Sequence, residues 1–456
     1  MPLWGATGRV AKRNFTPGGD MATQAVADAT EFTMSKTYRR YALGILLLAY
    51  ISSYVDRQIM GVVLPAIKEE FLLADWQLGF LSGIAFAIFY ATLGMPIAFL
   101  ADRSNRRNII AAAVSIWSLM TAACAFVSGF GTLAIARIGV GVGEAGSSPP
   151  SHSMIADMYP PEERSGALAI YALGVYLGTM IAFAVGAFVV AQYGWRAAFL
   201  LVGLPGLVIA LLVRFTLKEP PRGFSEGREA PETGPIDWSE ARGQIASGFR
   251  HLWIDRASFH TVMGVTIISF VGYGGAVWGF SFFIRSFKMS YEETGIFLAL
   301  VVGIFGAMGA ILGGKLADKM GAKDVRWTPW IVAIAKVAAA PIILAFFLVE
   351  KELALWLYVP MTILGAFYLG PSFALIQSRA PIHMRTTISS IMLFILNIIG
   401  LGFGPQLVGI LSDVLEPTYG IESLRYALLL MSFVSLWGAY HYYLAGKALG
   451  REASDG

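Results

Sequence analysis

Four ionisable residues stand where a charge is expensive. Asp56 and Arg57 lie side by side in AYISSYVDRQIMGVVLP, residues 49–65, inside an apolar run long enough to cross a membrane. Arg137 and Glu144 lie in a second such run, ARIGVGVGEAGSSPP. At the centre of a spanning helix each charge costs about 2.5–3.5 kcal/mol on insertion scales, so each should face protein or water and have a partner. Adjacent helical residues point about 100° apart, so Asp56 and Arg57 are expected to find their main partners elsewhere. Arg137 and Glu144 are separated by nearly two helical turns and project from one face. Gly139, Gly141 and Gly143 on the same stretch would let a neighbouring helix approach closely. The expected constellation is two acids and two bases, net neutral. Apolar packing could replace such a network at little loss, and membrane carboxylates commonly mark proton relays. Asp56 and Glu144 are therefore candidates for proton sensing or coupling, with Arg57 and Arg137 as their charge-network partners, because an acid's affinity for a proton changes when its base leaves. A purely structural ion-pair network is the competing reading.

The elements that carry these residues follow from composition. The 456-residue chain is 56% hydrophobic and 14% charged, with a mean hydropathy of +0.63, too apolar for a soluble globular protein. Apolar segments of about 20 residues, the length needed to cross the hydrocarbon, recur near 41–63, 76–99, 108–128, 131–157, 165–190, 195–214, 258–285, 292–317, 327–349, 353–379, 385–412 and 424–446. These predict an all-α membrane protein with twelve transmembrane helices. With the N-terminus in the cytoplasm, roughly 24 of the 34 Lys and Arg residues fall in cytoplasmic segments and about 6 outside. Both termini are thus expected on the cytoplasmic side of the cell (inner) membrane, and the net charge of +4 reflects topology, with no nucleic-acid partner implied. The first apolar run lacks a short signal-like core with a cleavage site, so no cleavable signal is expected; Met21 and Met34 are alternative starts.

Residues 215–257, rich in Pro, Gly and charge, read as a cytoplasmic linker between two six-helix bundles, 38–214 and 258–448. Residues 1–37 read as a disordered tail and 449–456 as a second tail. Ile236 to Trp253 could form an amphipathic helix at the interface or a solvated connector. The halves echo each other: AFLADRSNRR matches GKLADKMGAKD, RSGALAIYALG matches RTTISSIMLFI, and WRAAFLLVG matches LRYALLLMS, at offsets of 216 to 229 residues in the same order. A duplicated six-span unit is the economical explanation, and such repeats are characteristic of secondary transporters with a midplane site between the repeats.

With these features the chain resembles the major facilitator superfamily, whose fold is two pseudo-symmetric six-helix bundles. That family carries Gly-x-x-x-Asp-Arg/Lys-x-Gly-Arg-Arg/Lys in the 2–3 and 8–9 loops. Gly314, Asp318, Lys319, Gly321 and Lys323 match it; the first copy keeps Asp102, Arg103, Arg106 and Arg107 but has Ala98 and Asn105 in place of glycines. Asn105 is expected to substitute for glycine at a left-handed backbone position. The resemblance implies a cytoplasmic latch, in which the acid caps a helix and the bases tie neighbouring helices. YVDRQIMGVVLPAIKEEF and RIGVGVGEA further resemble the Spinster branch, exporters of lipids and lysolipids including sphingosine phosphate. The resemblance places proton sensing at Asp56, with Arg57, Arg137 and Glu144 as its switching partners.

It also implies a monomeric, proton-coupled carrier working by alternating access on a small amphipathic or organic substrate, with no cofactor besides the proton and no metal. Substrate contacts are expected from spans 1, 4, 7 and 10 and their neighbours: Tyr90, Tyr273, Trp278, Phe280, Tyr368, Phe373, Gln377 and Asn397, with Phe270, Phe282 and Phe283 on the same stretch as Tyr273. An aromatic half facing a charged half suits a lysolipid-like or sphingoid-like amphipath; small organic anions or drugs are the alternative. An enzyme is not expected, since neither His-Glu-x-x-His nor Gly-x-Ser-x-Gly occurs. Lys336, about 7 residues from the end of its span, is expected to snorkel to the interface. His152 and His383 read as interfacial or solvated, Cys124 as a packing residue, and GLGFGP at 400–405 as a bend.

Overall fold

The computed structural model describes residues 34–101, 103–226, 238–381 and 384–455. Among them all regular structure is helical. Eight continuous helical stretches are long and apolar enough to cross a membrane. Two of these, Pro161–Thr216 and Arg385–Arg451, are helix pairs folded at Gly194 (φ 81°) and Gly420 (φ 54°), a region of backbone space that glycine enters without steric cost. Two further segments, Lys36–Phe71 and 130–158, carry the buried charges. The total is twelve spans: Lys36–Phe71, Asp75–Ala101, Arg106–Phe126, 130–158, 161–193, 195–216, Arg256–Phe287, Tyr291–Gly321, Trp327–Leu348, Lys351–Arg379, 385–419 and 423–451. They are numbered 1 to 12 below. Spans 1, 8 and 11 run further than the apolar pattern alone predicts, because polar helical turns extend them.

Local chemistry sets where these helices begin and end. Ser35 caps span 1 by accepting from the Tyr38 N–H at 3.1 Å, and Asp255 caps span 7 by accepting from the Ser258 N–H at 3.1 Å, each satisfying a donor that the first turn leaves without a partner. Spans 1 and 7 both end in a left-handed residue that is not glycine, Leu72 (φ 52°) and Lys288 (φ 53°). Spans 4 and 10 both lose their helical pattern midway, at 145–147 and 366–368. Equivalent irregularities at equivalent places are what a duplicated unit would leave.

Wide turns interrupt spans 5, 8 and 11 at Ala182–Gly186, Val301–Phe305 and Leu396–Phe403, the last overlapping the GLGFGP run. Close contacts between halves gather at these interruptions. A Cβ on Gly83 would collide with the Gly402 carbonyl, and one on Gly295 would meet the Phe183 carbonyl at 2.5 Å. Small residues let backbones meet where lipid offers no hydrophobic drive for helix association. Outward faces carry exposed Leu119, Phe188, Val208, Leu211, Ile311 and Val337, the surface expected against a bilayer.

The linker contains a helix at Trp238–Ile254. Leu252 is buried against spans 7 and 11, while Trp253 stays 75% exposed, so one edge docks on the second half and another remains open. The 1–33 part of the N-terminal tail, Ile236, Asp102 and His383 lie outside the described residues.

Candidate functional site

Spans 1 and 4 bring the four charges together as two crossed pairs. Arg137 Nη1 lies 3.2 Å from Asp56 Oδ1, and Arg57 Nε lies 2.6 Å from Glu144 Oε2. Asp56 and Arg57 thus point to different partners. Asp56 also accepts from the Thr121 hydroxyl of span 3, and Glu144 from the Ser53 hydroxyl at 2.9 Å. Glycine makes the assembly possible: a Cβ on Gly141 would strike the Phe86 carbonyl of span 2, and one on Gly143 would meet the Trp117 nitrogen of span 3 at 2.5 Å. Span 4 is thereby packed tightly on spans 2 and 3, and its long charged side chains reach across to span 1.

The pairs differ in access. Asp56 and Arg137 keep 1% and 2% of their side-chain exposure, Glu144 keeps 1%, and Arg57 keeps 16%. Arg57 is sheathed by aromatic rings, with Tyr90 4.4 Å, Tyr54 5.2 Å and Phe86 5.4 Å from its guanidinium carbon; such stacking favours a cation that is weakly hydrated. Among the described residues, Glu144 Oε1 is buried with no hydrogen-bond donor. A carboxylate oxygen left without a donor is costly to bury. Thr121 and Ser53 were not anticipated; hydroxyl residues are too common in these spans to stand out without the fold.

A cavity of about 270 Å³ lies mostly within the second half. Gln58 and Phe183 reach it from the first half, and Gly272, Gly275, Gly279, Phe282, Phe283, Tyr358 and Tyr368 border it from spans 7 and 10. Among the eight aromatic and polar residues expected to line a cavity, Tyr368 does so. Trp278 and Phe280 do not border this cavity: the first donates to the Pro405 carbonyl at 2.8 Å and the second stacks on Phe183, because their face of span 7 is taken up by helix contacts. Tyr90 covers Arg57, Tyr273 and Phe373 pack against buried clusters, Gln377 is exposed and Asn397 is half-buried. Lys336 corrects an expectation. It is 7% exposed, borders the cavity and donates to the Gly365 carbonyl at 2.7 Å, so its ammonium stays in the interior and does not snorkel.

The end of the molecule away from the termini is closed by a second cluster that the sequence did not reveal. Asp75, at the start of span 2, receives Arg285 of span 7 at 2.7 and 2.9 Å, Ser412 of span 11 at 2.7 Å and Lys68 at 2.6 Å. Asp413 of span 11 accepts from the Asp75 and Trp76 N–H groups at 2.9 and 2.7 Å. A carboxylate from one half therefore caps a helix of the other. Hydrogen bonds and ion pairs between the two halves gather at this far end, Gln192 to Glu292 and Gln406 to the Trp76 carbonyl among them.

The two copies of the loop motif differ. Arg106 is fully buried, paired with Asp157 and, at 2.6 Å, with Glu219; Arg107 donates its backbone N–H to Glu219 at 2.9 Å. Asn105 is not left-handed: at φ −74° it caps span 3, its side chain accepting from the Asn108 N–H at 3.0 Å. Asparagine serves here as a helix cap. Arg103 packs back along span 2 toward the Phe99 carbonyl at 3.4 Å. In the second copy Asp318, Lys319 and Lys323 are exposed and make no side-chain ion pair among the described residues; Gly314 has open space around it. Arg326 instead binds the neighbouring Asp324 and holds its carboxyl below the usual range. His152 is bonded to the Ser148 carbonyl at 2.9 Å and rests edge-on against Tyr171; Cys124 is buried in the core.

Known proteins bear on this arrangement. Residues 46–405 match the Major Facilitator Superfamily. An "MFS-type efflux pump" of Mycolicibacterium smegmatis is 31% identical over 94% of this chain and 98% of its own length. Protein spinster homolog 1 of Xenopus laevis is 26% identical over 88% of this chain and 80% of its own. The crystal structure of a bacterial homologue of the human lysosomal transporter Spinster, inward-facing and unoccupied, superposes with a TM-score of 0.82 at 29% identity, covering 92% of this chain and 99% of that one. With the fold and these relatives in agreement, the chain belongs to the Major Facilitator Superfamily and is a Spinster-like transporter.

Proposed function

We propose that the protein is a proton-coupled secondary transporter that moves lysolipid-like or sphingoid-like amphipaths by alternating access. The crossed pairing of Asp56 with Arg137 and of Glu144 with Arg57 is the observation that carries this reading. Protonating either acid releases its base, and a released base in a low-dielectric interior must find a new partner or water. The far-end cluster around Asp75 is the contact that would have to part when the halves rock. Arg106 and Arg107 act as a latch on the terminus side, which faces the cytoplasm of the cell's inner membrane. The carrier works as a monomer and needs no cofactor but the proton.

The cavity supports an amphipathic cargo. Its wall is largely aromatic and aliphatic, with a few polar groups, as expected of a pocket that holds a tail and orients a head. A small organic anion would leave the Phe282 and Phe283 end unfilled. The test is uptake of a labelled lysolipid into proteoliposomes with and without an imposed pH gradient. Uptake that rises with the gradient supports the reading; uptake indifferent to it removes the coupling.

A further inference from the structure

Lys336 is a buried cation with no acid beside it. Among the described residues no carboxylate lies within ion-pair distance, and the one hydrogen bond of its Nζ is to the Gly365 carbonyl. That carbonyl is available because span 10 abandons its helical pattern over 366–368. An ammonium has three donors, and burying it without a counter-ion is unfavourable, so the site as it stands is incomplete. Tyr368, whose ring centroid is 5.2 Å from Nζ, offers partial compensation through its face. A neighbouring anion would offer much more.

The cavity runs from Lys336 toward a cluster of rings at the far end, where Phe282, Phe346 and Phe347 lie within 5.5 Å of one another by centroid. Ten residues separate Lys336 from Phe346 along span 9, about 15 Å of helical rise. Between them, Gly272 and Gly275 of span 7 border the cavity and have nothing within 4 Å of where a Cβ would sit, so the omitted side chains leave room for a chain. We propose that Lys336 anchors an anionic headgroup, phosphate or carboxylate, of a single-chain lipid whose tail extends to the Phe282, Phe346 and Phe347 rings. This rests on the amphipath reading above and narrows it: the cargo carries its negative charge at the end held in the second half.

The test compares a single-chain lipid phosphate with an uncharged monoacylglycerol of equal tail length, binding to the full-length protein in neutral detergent. The parent should favour the phosphate, and Lys336→Met should lose that preference by about tenfold or more while binding the monoacylglycerol as before. Lys336→Arg should restore part of it. Gly275→Leu should weaken long tails more than short ones, with Lys336 untouched. An unchanged preference in Lys336→Met, or equal loss of both lipids in a protein of parental thermal stability, would overturn the headgroup role. Failure of the parent to bind either lipid would instead overturn the amphipath reading, and the anchor with it.

Discussion

The two halves share one chain plan yet fill their interiors differently. In the first, spans 1 and 4 lock two acids and two bases into crossed pairs. In the second, the equivalent spans 7 and 10 are tied by an ion pair at their terminus-side ends, Arg379 with the cap residue Asp255, and a single ammonium from span 9 stands beside an aromatic cavity. Duplication supplies the scaffold; the side chains have diverged. On the proposed reading the first half handles protons and the second holds cargo, and the contact between them transmits one event to the other.

Removing a base from each half is the strongest way to break that comparison. Arg137→Ala leaves Asp56 buried and unpaired and should cost about 3–5 kcal/mol, seen as a large drop in thermal midpoint in detergent. Lys336→Met orphans no acid, so its midpoint should stay at or above the parent's; equal drops in the two variants would show that both cations have the same structural job. Next in size, Arg106→Ala breaks charge-assisted hydrogen bonds worth about 1.5–3 kcal/mol, whereas Lys323→Ala, at an exposed base of the second motif copy, should stay within about 0.5 kcal/mol. Arg285→Ala should loosen the far end without unfolding the chain, lengthening the distance between spin labels placed at the far-side ends of spans 2 and 11. A distance unchanged by the substitution would mean that the glycine contacts, and not the ions, hold the halves together. Smallest, Glu144→Gln should slow coupled transport and spare folding, because the amide still accepts from Ser53.

The architecture was largely legible because lipid imposes a simple rule: every spanning segment must be long, apolar and helical. The twelve runs, the repeat and the four-charge constellation all follow from period and spacing. What the sequence hid were facts of proximity. Asp75, Arg285 and Asp413 lie more than a hundred residues apart and at span ends, where charges are ordinary, so nothing marked them as a cluster. Asn105 was misread because asparagine serves both left-handed turns and helix caps, and only the backbone angle separates the two. Trp278 and Phe280 were assigned to a cavity because an aromatic run reveals no face, while Lys336 was assigned to the surface because a long side chain near a span's end usually reaches water.

The most direct test of the central claim is proton movement recorded by a pH-sensitive dye inside proteoliposomes on addition of a lysolipid, for the parent and for Asp56→Asn at equal folded protein. The account predicts a signal from the parent and none from the variant, with lysolipid still binding to both. Equal signals from the two would contradict it and return Asp56, Arg137 and their neighbours to a purely structural role.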